Sequence, residues 1–371
     1  MAGYIPSLDT MQAMLKGGAA SVAGGAALGA GILYYGQNFL IYPSGFPQGS
    51  RTEVSTPLQY NMCYHDITLE TTDNIRVKAY LMLQRQDVPA TGGVYQQAHI
   101  YVPSRKDTGG EGVEIPVDNN LKEEDLEIAR SQPTVLIFHA NAGNMGHRLP
   151  LARLFYERMR CNVFMLSYRG YGLSEGRPSE SGIQKDAQAA LDFVRSHPIL
   201  KSTKLIFFGQ SIGGAVTIDL ASRNPDAVHG VIVENTFLSI PELIPSVMPY
   251  LSSVSFLCHQ HWRSSTSIQK IPQTTPMLMI SGLQDEVVPP AHMKRLWEIA
   301  TSKTNAEEVE MEDEDEKEGA SGEKSIRKWR RVRKGARWWM EYADGAHNNT
   351  CTRREYWAEV TRFMQNFSKM A

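Results

Sequence analysis

The chain has 371 residues, 42 % hydrophobic and 21 % charged, the proportions of a globular protein with a substantial core, in one large domain or two modest ones. A formal net charge of -2 excludes a global electrostatic drive toward nucleic acid. Cys63, Cys161, Cys258 and Cys351 lie too far apart for a CxxC-type metal site or a disulfide framework, so they read as buried free thiols.

From Gly17 to Gly36, "GGAASVAGGAALGAGILYYG", no residue is charged, and none is until Arg51. A run of about 20 uncharged residues is long enough to cross a bilayer. The Gly25/Gly29 spacing would admit a close helix neighbour, and Tyr34, Tyr35 and Tyr42 suit a membrane interface. The expectation is a membrane helix over 17–40 within an N-terminal tail, 1–56. A cleaved signal peptide is disfavoured by Lys16 as the lone early basic residue, and a soluble Gly-rich tail is the third reading.

A larger domain is expected over 57–371. His65 to Glu70 and Arg76 to Leu83 read as strands joined by the turn-rich "TTDN". Residues 84–132 read as a long loop with a short helix near Glu123 to Arg130. "TVLIF", Thr134 to Phe138, is the continuous apolar run of a strand buried on both faces. Helix and strand then alternate: helix 149–160, strand 162–167, helix 179–196, strand 204–208, a helix to about 223, and strand 228–234. Strand 277–281, helix 291–301, strand 338–342 and helix 353–364 complete the pattern. Such alternation predicts an α/β fold with a mostly parallel central sheet and helices on both faces. Two insertions interrupt it. Residues 238–275, rich in Ser, Pro and aromatics, read as a small helical cap. Residues 305–335 pass from "EEVEMEDEDEKE" to "KSIRKWRRVRKG" and read as a solvated, disordered loop, or more sharply as a docking site for a partner or for anionic headgroups.

Gly209-Gln210-Ser211-Ile212-Gly213 fits G-x-S-x-G between a buried strand and a helix, the context of a nucleophile elbow. Gly209 and Gly213 give room for a strained turn that lifts the Ser211 hydroxyl at the carboxyl end of the sheet. A serine nucleophile needs a base, and the base an orienting acid. Past Ser211 the histidines are His229, His259, His261, His292 and His347. His229 precedes a strand, His292 opens a helix, and His259 and His261 fall in the cap, where a metal pair is a remote alternative. His347, in "YADGAHNNT", follows the last strand at the carboxyl end and is the expected base. Asp285, in "LMISGLQDEVVPP", follows a strand at the same end and is the expected acid, with Glu234 as runner-up. Two backbone N–H groups should hold the oxyanion, from Ile212 and from Asn141 in the loop "HANAGN". His139 reads as a brace for that loop. No metal and no cofactor are expected.

Together "FHANAGN", "LSYRGYGLSEGRPSE", "GQSIGGAV", "ENTFLSI", "SGLQDEVVPPAHM" and "GAHNNT" resemble the α/β-hydrolase superfamily, and within it the membrane-anchored bud-emergence (BEM) family and its abhydrolase-domain relatives. The resemblance implies a Ser211, Asp285, His347 triad and endomembrane association, such as the endoplasmic reticulum. Two departures stand out: Ala140 occupies a position where many hydrolases carry glycine, and the insertion 305–335 lies outside the common fold. Related enzymes divide between lipid esters and acyl thioesters. The expected partners are therefore the membrane and an acyl lipid or acylated protein as substrate, with no nucleic acid; the alternative is a low-turnover membrane scaffold on the same fold. The sequons at Asn348 and Asn366 are expected to be unglycosylated, since a glycan beside His347 would obstruct the site.

Overall fold

A computed structural model describes residues 33–86, 98–104, 122–304, 308–311 and 329–369, together with 29 and 31. Among the described residues eleven strands form one sheet: β1 (His65–Glu70), β2 (Arg76–Met82), β3 (Ala98–Val102), β4 (Thr134–Phe138), β5 (Asn162–Leu166), β6 (Leu205–Gln210), β7 (Gly230–Glu234), β8 (Met277–Gly282), β9 (Glu308–Met311), β10 (Trp329–Lys334) and β11 (Arg337–Tyr342). Their order is β3-β1-β2-β5-β4-β6-β7-β8-β11-β10-β9. The six central strands from β5 to β11 run parallel, while β2 and β10 join the two flanks antiparallel.

The parallel strands are apolar throughout because both faces are covered. Along β4, Leu136 and Phe138 face one core, and Val135 and Ile137 the other. The first core receives α4 (Glu180–Ser196), α5 (Ile212–Arg223) and α8 (Pro290–Thr301), through Ile183, Ala187, Leu191, Val216, Met293 and Leu296. The second receives α3 (Leu149–Arg153) and α9 (Tyr356–Lys369), through Leu149, Ala152, Tyr356, Val360 and Phe363. Each large side chain so buried contributes roughly 1.5–3 kcal/mol. A helix α2 (Glu123–Ser131) stands where a short one was expected. The predicted helix over 149–160 widens within its length, passing from α3 into a π turn, Leu154–Arg158. The cap is helical: α6 (Ile240–Val247), a 3-10 segment (Pro249–Leu257) and α7 (Ser264–Ser267).

Three sequence expectations change. The loop 84–132 contains β3, an edge strand too short to show alternation. The insertion expected to be disordered over 305–335 instead gives its two ends to the sheet as β9 and β10; residues 312–328 lie outside the described ones. In "WRRVRK" the charges are held: Val332 is buried, Arg331 pairs with Glu359 at 2.7 Å, and the Arg333 guanidinium lies 5.1 Å from the Trp338 ring centre. The tail is also shorter than 1–56. A helix over 33–41 (α1) and the chain that follows it pack on the domain. Gln37, Tyr42 and Ser50 are buried, Asn144 Nδ2 donates to Ser50 O and Glu53 O, and Gly143 N donates to Phe46 O. Such backbone-mediated packing leaves no periodic pattern in the sequence. Of the expected membrane span, 17–28, 30 and 32 lie outside the described residues; among those described no helix is long and apolar enough to cross a membrane.

Candidate active site

The order β5-β4-β6 marks where the chain reverses its direction of travel across the sheet, so the loops after β4 and β6 diverge to opposite sides and leave a crevice. Ser211 stands there between β6 and α5. Its φ of 57° and ψ of -123° are forced on a residue with a side chain. The turn fits because its neighbours are bare: a Cβ on Gly209 would lie 2.1 Å from Gly213 O, and one on Gly213 would lie 2.0 Å from Phe138 O. The backbone is held on both sides. Ser211 N donates to Glu234 O at 2.9 Å, and Thr236 Oγ1 donates to Ser211 O at 2.7 Å.

Asp285 follows β8 and His347 follows β11, both buried. His347 Nδ1 lies 2.8 Å from Asp285 Oδ2 and 3.0 Å from Oδ1, so this nitrogen carries the proton and donates to the carboxylate. Asp285 Oδ1 also accepts from Val287 N at 2.9 Å and Val288 N at 2.7 Å, which fixes the carboxylate plane. Glu286 turns back on the same loop and accepts from His347 N at 3.3 Å.

Ser211, Ile212, Asn141 and His347 line one cavity of about 380 Å³. The Asn141 side chain is committed, donating to Ile41 O at 2.6 Å and accepting from Tyr171 Oη at 2.7 Å. The backbone N–H groups of Asn141 and Ile212 donate to no acceptor among the described residues. Beneath the loop His139 is buried against Tyr168, with ring centres 4.2 Å apart, and its Nδ1 donates to Ala140 O at 2.7 Å. Burial pulls the His139 pKa down to about 4, so the ring is a neutral strut.

Sequence reasoning missed the device that holds these loops in register. At the end of β7, Asn235 Oδ1 accepts from Gly282 N at 2.8 Å, and its Nδ2 donates to Thr350 Oγ1 at 3.1 Å and His347 O at 3.3 Å. Gln210 Nε2 donates to the same His347 O at 2.7 Å. Glu234, the runner-up acid, is bonded elsewhere: it accepts from Tyr356 Oη at 2.5 Å and Gln210 Nε2 at 3.4 Å. Burial raises its carboxyl to about 7. The signal for this role was "ENT" directly after a buried strand, which names polar residues but not their partners. His292, expected on a surface helix, is buried and accepts from Leu238 N at 3.3 Å. His259 and His261 serve the cap through backbone bonds to Gln37 and Glu180.

The cavity walls beyond the polar end are apolar. Phe237, Leu243, Met248 and Leu251 come from the cap side, and Leu33, Leu40 and Ile41 from α1. Tyr42 closes the α1–cap joint, accepting from Trp262 Nε1 at 2.9 Å and donating to Gln260 Oε1 at 3.0 Å.

Residues 133–255 match the alpha/beta hydrolase fold family. Protein bem46 of Schizosaccharomyces pombe is 42 % identical over 303 residues, covering 81 % of this chain and 87 % of that protein. Uncharacterized membrane protein YNL320W of Saccharomyces cerevisiae is 36 % identical over 270 residues, covering 73 % and 79 %. A Pyrococcus furiosus esterase superposes with a TM-score of 0.56 at 14 % identity over 85 % of this chain and 95 % of that one, a likeness of fold. Sheet order, the strained turn after β6 and these similarities agree: the chain belongs to the α/β-hydrolase family that includes Protein bem46.

Proposed function

We propose that the protein is a membrane-associated serine hydrolase that cleaves a carboxylic ester or thioester of an acyl lipid or acylated protein. The observation that carries the reading is the convergence of the strained Ser211 and the Asp285-paired His347 on one apolar cavity. In this reading Ser211 Oγ attacks the acyl carbonyl and gives its proton to His347 Nε2. Asp285 keeps the Nδ1–H tautomer and stabilises the imidazolium that forms. The N–H groups of Ile212 and Asn141 receive the developing oxyanion at the start of α5, where the helix dipole also favours negative charge. His347 then protonates the departing alcohol or thiol, and a water that it activates releases the acid from Ser211.

The membrane part of the reading rests on α1. Leu33, Gln37 and Ile41 turn into the cavity, while Tyr35 and Phe39 on the opposite side are 87 % and 86 % exposed. Tyr250 and Phe256 of the cap are 80 % and 77 % exposed. Apolar side chains on both faces of a helix suit contact with lipid, in line with the uncharged residues that precede it and with an endomembrane location. The decisive experiment is labelling of the full-length protein in membranes with a fluorophosphonate. Labelling of the native protein and none of Ser211→Ala is expected; failure of the native protein to label would leave the non-catalytic scaffold as the better account. Resistance to alkaline carbonate extraction checks the membrane part separately.

A further inference from the structure

Among the described residues the cavity is lined by one arginine and no lysine. Arg148 ends the turn Met145–Arg148 that follows the 139–144 loop, and it lines the same cavity as Ser211, His347 and Asn348. It is half-buried, yet among the described residues its guanidinium makes no ion pair and no hydrogen bond. A guanidinium that opens onto a cavity without a protein partner keeps its donors free for an incoming anion, and it does not lose its proton. Burial lowers the Arg148 pKa from its ordinary value.

The groups facing it do not discharge it. Glu234 acts on it at a distance, beyond ion-pair contact, and both Glu234 oxygens already accept from Tyr356 and Gln210. Burial raises the Glu234 carboxyl to about 7, which weakens the negative charge it sets against Arg148. Cys351, pushed up to about 12, and Tyr168, pushed well above its ordinary value, stay neutral. On the other side His139 and His147 bring no negative charge. The cavity that holds the nucleophile therefore presents a positive charge with no ion-pair partner among the described residues, and its remaining walls are mostly apolar.

We infer that Arg148 binds an anionic group, phosphate or carboxylate, carried by the substrate close to its scissile carbonyl, so that the preferred substrates are single-chain amphiphiles with a negatively charged head. The inference rests on the serine-hydrolase reading and narrows it. Phe237, Leu243, Met248 and Leu251 receive the acyl chain. The Arg148 fork takes two anion oxygens at once. The hydrolytic step is unchanged: the acyl C–O bond breaks, water supplies the hydroxyl and proton, and the anion is a handle that takes no part in bond making.

The test compares three esters of one acyl chain with the full-length protein: a lysophosphatidic acid, an O-acyl lactate and a neutral monoacylglycerol. Arg148→Met is expected to lower the ratio of kcat/KM for at least one anionic ester over the neutral one by tenfold or more. Arg148→Lys should restore part of that ratio through its point charge. A fall confined to the phosphate or to the carboxylate ester identifies the group bound; a ratio that moves less than twofold for both overturns the inference. A measurement free of variants is protection of the native protein from fluorophosphonate labelling. Dodecyl phosphate should protect at a concentration at least tenfold below that of dodecyl glycerol ether, and equal potency again overturns it. If the native protein does not label at all, the hydrolase reading falls. If it labels and the ratios do not move, only the role of Arg148 falls.

Discussion

Ser211 holds a backbone conformation that costs on the order of 1–3 kcal/mol, repaid by the bonds its N–H and C=O make to Glu234 and Thr236. The turn tolerates no side chain at its flanks. Gly213→Ala would press a methyl onto Phe138 O, and the start of α5 must shift away from β4. Destabilisation of roughly 1–3 kcal/mol and loss of fluorophosphonate labelling are expected, read by thermal denaturation and gel fluorescence. Asp285→Asn keeps the shape of the acid but presents the wrong group to His347 Nδ1. A fall in kcat of about 10⁴-fold is expected with an unchanged melting temperature. Glu234 gives a pH signature. Its folded pKa, about 7, lies above its ordinary value of 4.5, so the native state binds the extra proton between these limits, and stability contributed there is lost as pH rises. Glu234→Gln should flatten the decline in melting temperature between pH 5 and 7.5; an undiminished slope would assign it to other groups. The strand-end placement of Ser211, Asp285 and His347 was legible because each stands in a loop directly after an apolar strand. Asn235 and Arg148 were not, since what matters about them is which distant groups they meet or fail to meet.

At the scale of elements, the parallel strands and the helices between them followed from the alternation of apolar runs with helical spacing. The flanks did not. Among the described residues β3 pairs only with β1, and in β10 a single buried valine is set among cations whose partners, Glu341, Glu359 and Trp338, lie elsewhere in the chain. The segment α1 was legible as apolar but not as a wall of the cavity. Its attachment depends on a few buried polar bonds, with Gln37 Oε1 accepting from His259 N at 2.8 Å and Tyr42 bridging Trp262 and Gln260. Tyr42→Phe removes one acceptor and one donor in the buried joint and leaves the Trp262 N–H without its partner. A cost of about 1–3 kcal/mol is expected, together with weakened preference for long over short acyl chains, measured as the ratio of kcat/KM across a chain-length series.

At the scale of the molecule, the strand ends meet in a crevice because the sheet reverses its winding between β4 and β6, and the β1–β2 hairpin is tied to that frame by a buried charge cluster. Arg169 Nε lies 2.9 Å from Asp186 Oδ1, and its two terminal nitrogens reach Asp73 at 2.8 and 2.9 Å. Burial raises the Asp186 carboxyl to about 6 against the pull of Arg169, a measure of how far the pair is removed from water. Arg169→Met strands that carboxylate, and a loss of about 3–5 kcal/mol in unfolding free energy is expected from denaturant titration. The fold class was legible from the alternation alone. The extent of the domain was not, and this has a practical edge. A recombinant chain begun at Pro57, where the sequence first turns strand-like, would keep Ser211, Asp285 and His347 in place. It would lack Leu33, Leu40 and Ile41, and Asn141 would lose its acceptor at Ile41. Water would then enter from one side, and a screen of that chain would rank small, soluble acetates first, describing the truncation and not the protein.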